Sequence, residues 1–207
     1  QADRMLDAGA DVITLGNHSF DRREICTYLD DCPYILRPDN LRPSLPGRGW
    51  GVFETKIGPV GVMNLLGRCN LDFRPDNPFL IADKILQELG EVPVFLDFHA
   101  EATSEKLAMA YYLDGKISAQ WGTHTHVQTA DEQILPNGTG YLTDLGMTGP
   151  VRSVIGVRPE QSIANFRGEL TSRYEVAPGP CMLTGAVFTY DAAAKRCTGA
   201  ERVRILD

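Results

Sequence analysis

The sequence has no uninterrupted apolar run of the ~18–20 residues that a membrane-spanning helix requires, which excludes a helical span. It has no cluster of Lys or Arg either: 20 basic side chains face 27 acidic ones, a formal net charge of −7. An extended nucleic-acid backbone is therefore not an expected partner. A small phosphate ester stays open to an acidic protein if a metal supplies the positive charge. The Gly-x-Ser-x-Gly elbow of acyl transfer, the P-loop and the Gly-x-Gly-x-x-Gly fingerprint are all missing. Cysteine is sparse and odd in number. Cys26, Cys32, Cys69, Cys181 and Cys197 contain no Cys-x-x-Cys, so neither a disulfide framework nor a zinc ribbon is expected; reduced thiols and a cytoplasmic location are. There is no initiator Met and no signal peptide, and the opening residues read as the end of a helix running to a Gly9 C-cap. The chain is accordingly expected to be N-terminally incomplete.

What remains is an ordinary globular composition of 207 residues, 43% apolar and 23% charged, which fits a single domain over residues 1–207. Apolar patterning predicts a strand over Asp11–Leu15 and a helix over Asp21–Asp30. A proline-rich connection over 31–49 follows. Strands over Trp50–Lys56 and Val60–Leu65 flank a turn at Ile57-Gly58-Pro59. Next come a loop at 67–78, a helix over Phe79–Leu89, a strand over Val92–Phe98, a helix over Thr103–Tyr112 capped by Thr103 or Ser104, and a strand over Ile117–Trp121. Beyond these the pattern turns to hairpins. Pro136-Asn137-Gly138 reads as a tight turn, Arg158–Arg167 as a short helix, and Met182–Tyr190 and Arg202–Leu206 as antiparallel strands. The alternation points to a layered α/β fold with mixed or paired sheets.

Four histidines are present, His18, His99, His124 and His126, each just past the end of a predicted strand. Strand ends are where α/β proteins assemble their sites. His124 and His126 stand two apart, on one side of an extended backbone. Asn17-His18 follows a glycine that permits a tight turn. Imidazole nitrogens with amide and carboxylate oxygens suit Fe, Mn, Zn or Co.

Gly16-Asn17-His18, an isolated His99 about 80 residues later, and Gly122-Thr123-His124-Thr125-His126 after 25 more resemble, in that order, the last three blocks of the calcineurin-like metallophosphoesterases. Asn64-Leu65-Leu66-Gly67-Arg68, Asp76-Asn77-Pro78-Phe79, the run from Asp97 to Lys106 and Asp144-Leu145-Gly146-Met147-Thr148-Gly149 are similar to the bacterial YmdB-like branch. The resemblance implies a metallophosphoesterase-like α/β sandwich, with mixed β-sheets in the middle flanked by α-helices, here lacking its first strands. It implies a phosphodiesterase for cyclic nucleotides such as 2′,3′-cyclic AMP, with two divalent metal ions, Fe or Mn before Zn. Asn17, His99 and His124 would hold one ion and His126 the other, an activated hydroxide would attack the phosphorus, and His18 would serve as general acid. Relatives imply a homo-oligomer. Asn64, Arg68, Thr148 and Gly149 are weaker candidates for substrate binding. Glu101 and Glu105 read as helix N-terminal charges, and Trp50, Trp121, Tyr111 and Tyr112 as packing or subunit contacts.

The family's opening acidic blocks have no counterpart before Asn17. Asp97-Phe98-His99 has the form of the opening block but falls in the wrong order. Two further readings therefore stand beside the dinuclear enzyme: a non-catalytic metal- or nucleotide-binding regulatory domain, and a mononuclear metal hydrolase.

Overall fold

The computed structural model describes residues 1–56, 58–71 and 74–207. In chain order its elements are α1 (Ala2–Asp7), β1 (Ile13–Thr14), α2 (Ile25–Asp31), β2 (Ile35–Leu36), β3 (Trp50–Thr55), β4 (Gly58–Leu66), α3 (Pro78–Leu89), β5 (Val94–His99), α4 (Thr103–Leu113), β6 (Ala119–Thr123), β7 (Gln133–Ile134), β8 (Gly140–Leu142), β9 (Gly149–Pro150), α5 (Pro159–Phe166), β10 (Cys181–Asp191) and β11 (Arg196–Leu206).

A six-stranded mixed sheet runs β3-β4-β5-β6-β8-β7, with β4, β5, β6 and β8 parallel and the outer strands antiparallel. Parallel neighbours need a crossover, and α3 and α4 supply two of them. Alternation along β5 decides its two faces. Val94, Leu96 and Phe98 pack with Ala82, Ile85 and Leu89 of α3 and Met109 and Leu113 of α4. Each such fully buried large side chain contributes about 1.5–3 kcal/mol of hydrophobic transfer. Phe95, Asp97 and His99 take the opposite face. There the long β10–β11 hairpin forms a second layer, with Phe95 against Tyr190 and Trp121 stacked on Phe188. Mixed sheets thus lie in the middle with helices outside, as expected, and Trp121 is a packing residue within the chain.

Several boundaries differ from expectation for physical reasons. α2 starts only at Ile25 because residues 18–21 wind as turns, with Ser19 N–H donating to Gly16 O and Asp21 N–H to His18 O. β1 shortens to two residues because β2, itself two residues long, is its one pairing partner among the described residues. α4 is entered through Ala102, which has no capping side chain, so neither Thr103 nor Ser104 is the cap. At the end of the β3–β4 pair Thr55 lies opposite Gly58, whose backbone has φ +102°; Ile57, part of the expected turn, lies outside the described residues. Asn64, a candidate for substrate binding, sits inside β4, fully buried, its amide donating to Leu15 O and Leu36 O at 2.6 and 2.9 Å. That amide ties β1 and β2 to the main sheet, which removes Asn64 from the substrate-binding candidates.

Candidate metal centre

Parallel neighbours β5 and β6 end together, bringing His99 and His124 to one edge of the six-stranded sheet, and Asn17, after β1 of the separate β1–β2 pair, meets them there. Gly16 is required there: a Cβ at this position would collide with the His99 imidazole. Nε2 of His99 lies 2.9 Å from Asn17 Oδ1 and 3.2 Å from His124 Nδ1.

The protons of this cluster follow from its supports. Thr123 donates its single hydroxyl hydrogen to Asp97 Oδ1 at 2.7 Å. Its 2.9 Å contact with His99 Nδ1 must then be a bond donated by the imidazole. A neutral imidazole has one N–H, so Nε2 of His99 presents a lone pair. His124 Nε2 lies 3.3 Å from Glu101 Oε2; with its N–H on that side, Nδ1 is a second lone pair. The Asn17 carbonyl oxygen is a third acceptor. In that tautomer three electron-pair donors converge, an arrangement that a cation relieves. Their chemistry, two imidazoles and an amide oxygen, fits a borderline divalent metal. Carboxylate-supported histidines are the usual second shell of such a site.

The electrostatics agree. Burial, reinforced by the neighbouring His124, pushes the His99 pKa down to about 3. Burial also lowers that of His124, with Glu101 opposing it. Both rings are held in the neutral form that ligates metal. Burial raises the Asp97 carboxyl to about 6 against the hydroxyls of Thr14 and Thr123, which donate to it.

The loop carrying the second imidazole is strained, with φ of +104° at His124 and +65° at His126, values a non-glycine residue seldom adopts. A buried ion pair holds it. Asp144 accepts from Lys106 Nζ at 2.7 Å, both side chains being 0% exposed, and the same oxygen takes the N–H of Thr125 at 3.1 Å. The other oxygen takes the N–H of Gly146. Gly122 is fixed by this packing, since a Cβ there would meet Thr143 O and the Lys106 stem.

The remaining candidates fall elsewhere. His18 is next to Asn17, but its ring is 77% exposed and its Nδ1 lies 2.9 Å from Asp21 Oδ2. His126 makes no hydrogen bond to the cluster among the described residues; it lines a separate cavity on the same edge. Arg68 and Thr148 are exposed, and Gly149 belongs to β9, opposite Met182. Glu101, read as a helix charge, is instead the His124 partner, and Glu105 accepts the N–H groups of Arg68 and Cys69. No three His, Cys, Asp or Glu side chains form a metal-holding group among the described residues.

Sequence reasoning missed Asp97, Thr123, Lys106 and Asp144 as supports. Two signals were available. Asp97 and His99 share a face by strand alternation. Lys106 stands in register with Met109, Ala110 and Leu113 on the buried stripe of α4, where a lysine needs a charged partner.

Comparison with known proteins adds the following. A family profile described as YmdB-like protein matches residues 1–203. The chain is 45% identical over 207 residues to the 2′,3′-cyclic-nucleotide 2′-phosphodiesterase of Bacillus subtilis (strain 168), covering 98% of this chain and 77% of that protein. A crystal structure of a hypothetical protein from Thermus thermophilus superposes with a TM-score of 0.92 at 35% identity, over 100% of this chain and 80% of that one. A novel phosphatase from Mycoplasma pneumoniae gives 0.90 at 36% identity, over 99% and 75%.

Proposed function

The chain belongs to the YmdB-like family, and on that premise we propose that it is a metal-dependent phosphodiesterase that opens 2′,3′-cyclic nucleotides. The carrying observation is the meeting of Asn17 Oδ1, His99 Nε2 and His124 Nδ1 at one point, with His99 Nε2 2.9 Å from the first and 3.2 Å from the third. The substrate class is supported by the 45% identity to the Bacillus enzyme.

Asn17, His99 and His124 would hold a divalent ion, Fe or Mn before Zn, and His126 would serve a second. Bound there, such ions neutralise phosphoryl charge and lower the pKa of the attacking water. The chain's own residues do the rest. The Asp97–Thr123 relay turns the Nε2 lone pair of His99 inward, and Glu101 does the same for Nδ1 of His124. Asp144 presents the loop on which His124 and His126 sit. As an imidazolium with its Nδ1–H directed to Asp21, His18 would carry a second N–H at Nε2, the proton it would give to the departing ribose oxygen. Arg68, Thr148 and Gly149 stay candidates for substrate contact.

One observation favours a mononuclear variant of this reading: His126 makes no hydrogen bond to the other three donors among the described residues. Metal stoichiometry separates the two. We also read the protein as a single-domain cytoplasmic homo-oligomer. Its five free cysteines support the cytoplasmic location, and Phe166 and Leu170, both apolar and exposed, support a contact between copies.

The test is hydrolysis of 2′,3′-cyclic AMP and bis(p-nitrophenyl) phosphate with added Mn²⁺ or Fe²⁺, alongside His124→Ala. Turnover that depends on metal and is lost in the variant together with its bound Mn²⁺ is expected. A variant that retains its metal would overturn the ligand assignment. Absence of turnover in the parent would favour a non-catalytic binding role.

A further inference from the structure

The cavity that His126 rims is about 340 Å³, within the range of small-ligand sites. Its walls and its edge differ in chemistry. Met147, Ile155 and Met182 supply polarizable or aliphatic faces, while Gln128 and Arg204 supply polar atoms. Register explains the grouping. Thr184 pairs with Arg204 across β10 and β11, and Met182 lies on the same face two residues earlier. Thr184 in turn donates to Met147 O at 2.8 Å, fastening the 144–149 loop over the hairpin.

The polar inventory there is specific. Both amide hydrogens of Gln128 are used, on Gly185 O at 2.9 Å and Val203 O at 3.0 Å, so its Oε1 is left as an acceptor. Arg202 is engaged by Glu132 at 2.8 Å. Arg204 has no ion-pair partner among the described residues and retains its guanidinium donors. An acceptor and a donor fork at the edge of a slot with thioether walls match a planar heteroaromatic ring. Sulfur packs favourably against such a ring, and its edge alternates N–H donors with nitrogen acceptors.

Position completes the case. His126 is two residues from His124, so the cavity rim lies within ~7 Å of backbone reach of the cluster. That is the order of the distance from a nucleotide's ribose phosphate to its base. We propose that this cavity is the nucleobase subsite: it holds the base of the nucleotide, with a purine edge against Arg204 and Gln128, while the cyclic phosphate rests at the Asn17–His99–His124 cluster. The subsite rests on the phosphodiesterase reading and adds to it the part of the substrate that sets affinity.

Arg204→Ala removes the donor fork, and Ile155→Trp fills the slot from an exposed position. Each is expected to raise KM for 2′,3′-cyclic AMP by about tenfold while kcat/KM for bis(p-nitrophenyl) phosphate, which has no base, stays within about twofold. Equal losses on both esters, or no change on either, would overturn the subsite. Calorimetric binding of adenosine 3′-monophosphate decides the matter even if neither ester is turned over. Binding by the parent that is tighter than that of inorganic phosphate, and weakened about tenfold in both variants, supports the subsite. Affinity equal to that of inorganic phosphate overturns it, whereas loss of turnover alone bears on the phosphodiesterase reading.

Discussion

The hydroxyl of Thr123 donates to the buried carboxylate of Asp97 at 2.7 Å. That single bond decides which nitrogen of His99 carries a proton, because a hydroxyl that gives its hydrogen to Asp97 can only accept from Nδ1. The relay starts in β5, crosses to β6 and returns to β5, with the His99↔Thr123 and Asp97↔Trp121 register placing all its members on one face.

Thr123→Val breaks the relay without changing side-chain volume much. Divalent metal affinity should fall by about 10–100-fold, and the less satisfied Asp97 should cost about 1–3 kcal/mol of stability. Thr123→Ser, which keeps the hydroxyl, should restore most of both. Titration with Co²⁺ followed by visible absorption, with urea unfolding beside it, checks the pair; equal behaviour of Val and Ser would dismiss the relay.

His18→Ala should retain metal while kcat falls by about 10²–10⁴-fold on 2′,3′-cyclic AMP. The loss should shrink on bis(p-nitrophenyl) phosphate, whose nitrophenolate needs no proton to leave. Loss of metal, or an equal fall on both esters, would reassign His18.

Lys106→Met strands the Asp144 carboxylate in a fully buried position. About 3–5 kcal/mol of destabilisation is expected, read from the urea midpoint. Adding Asp144→Leu removes the unpaired charge and should recover much of that stability. It also leaves the N–H groups of Thr125 and Gly146 without their acceptor, so metal affinity should stay low in the double variant. Recovery of affinity as well as stability would show that the His124–His126 loop needs no such anchor.

Tyr141 gives a pH signature. Burial pushes its hydroxyl up to about 12, with Thr143, at 2.9 Å, opposing the shift. The unfolded chain releases that proton near ~10 while the folded one keeps it. Stability should therefore be unaffected by this group below pH ~10 and decline as pH rises from ~10 toward ~12. Tyr141→Phe should lose that part of the alkaline decline in thermal melts, and an unchanged pH profile in the variant would assign it to other groups.

Much of this molecule was readable along the chain because the relevant signals are local. Apolar alternation marked β3, β4, β5 and β10, and the Pro136-Asn137-Gly138 turn marked the β7–β8 pair. Histidines confined to strand ends singled out His18, His99, His124 and His126, and the family resemblance set Asn17, His99 and His124 together as one ligand group. The order of those blocks identified the family. Other features depend on which segments pack together, and one-dimensional patterning does not record that. Asn64 looked like a substrate contact, yet packing made it a buried link to Leu15 and Leu36. Glu101 and Glu105 carry the same charge near one helix start; the fold aimed the first at His124 and the second at the 68–69 backbone. Thr14 and Asp97 are 83 residues apart and Lys106 and Asp144 are 38 apart. Only burial turns such distant pairs into the supports of a site, because in water neither the unpaired charge nor the choice of imidazole nitrogen would carry the same cost. The sequence determined which donors are present and the strand ends that carry them. The tertiary structure decided which lone pairs face one another.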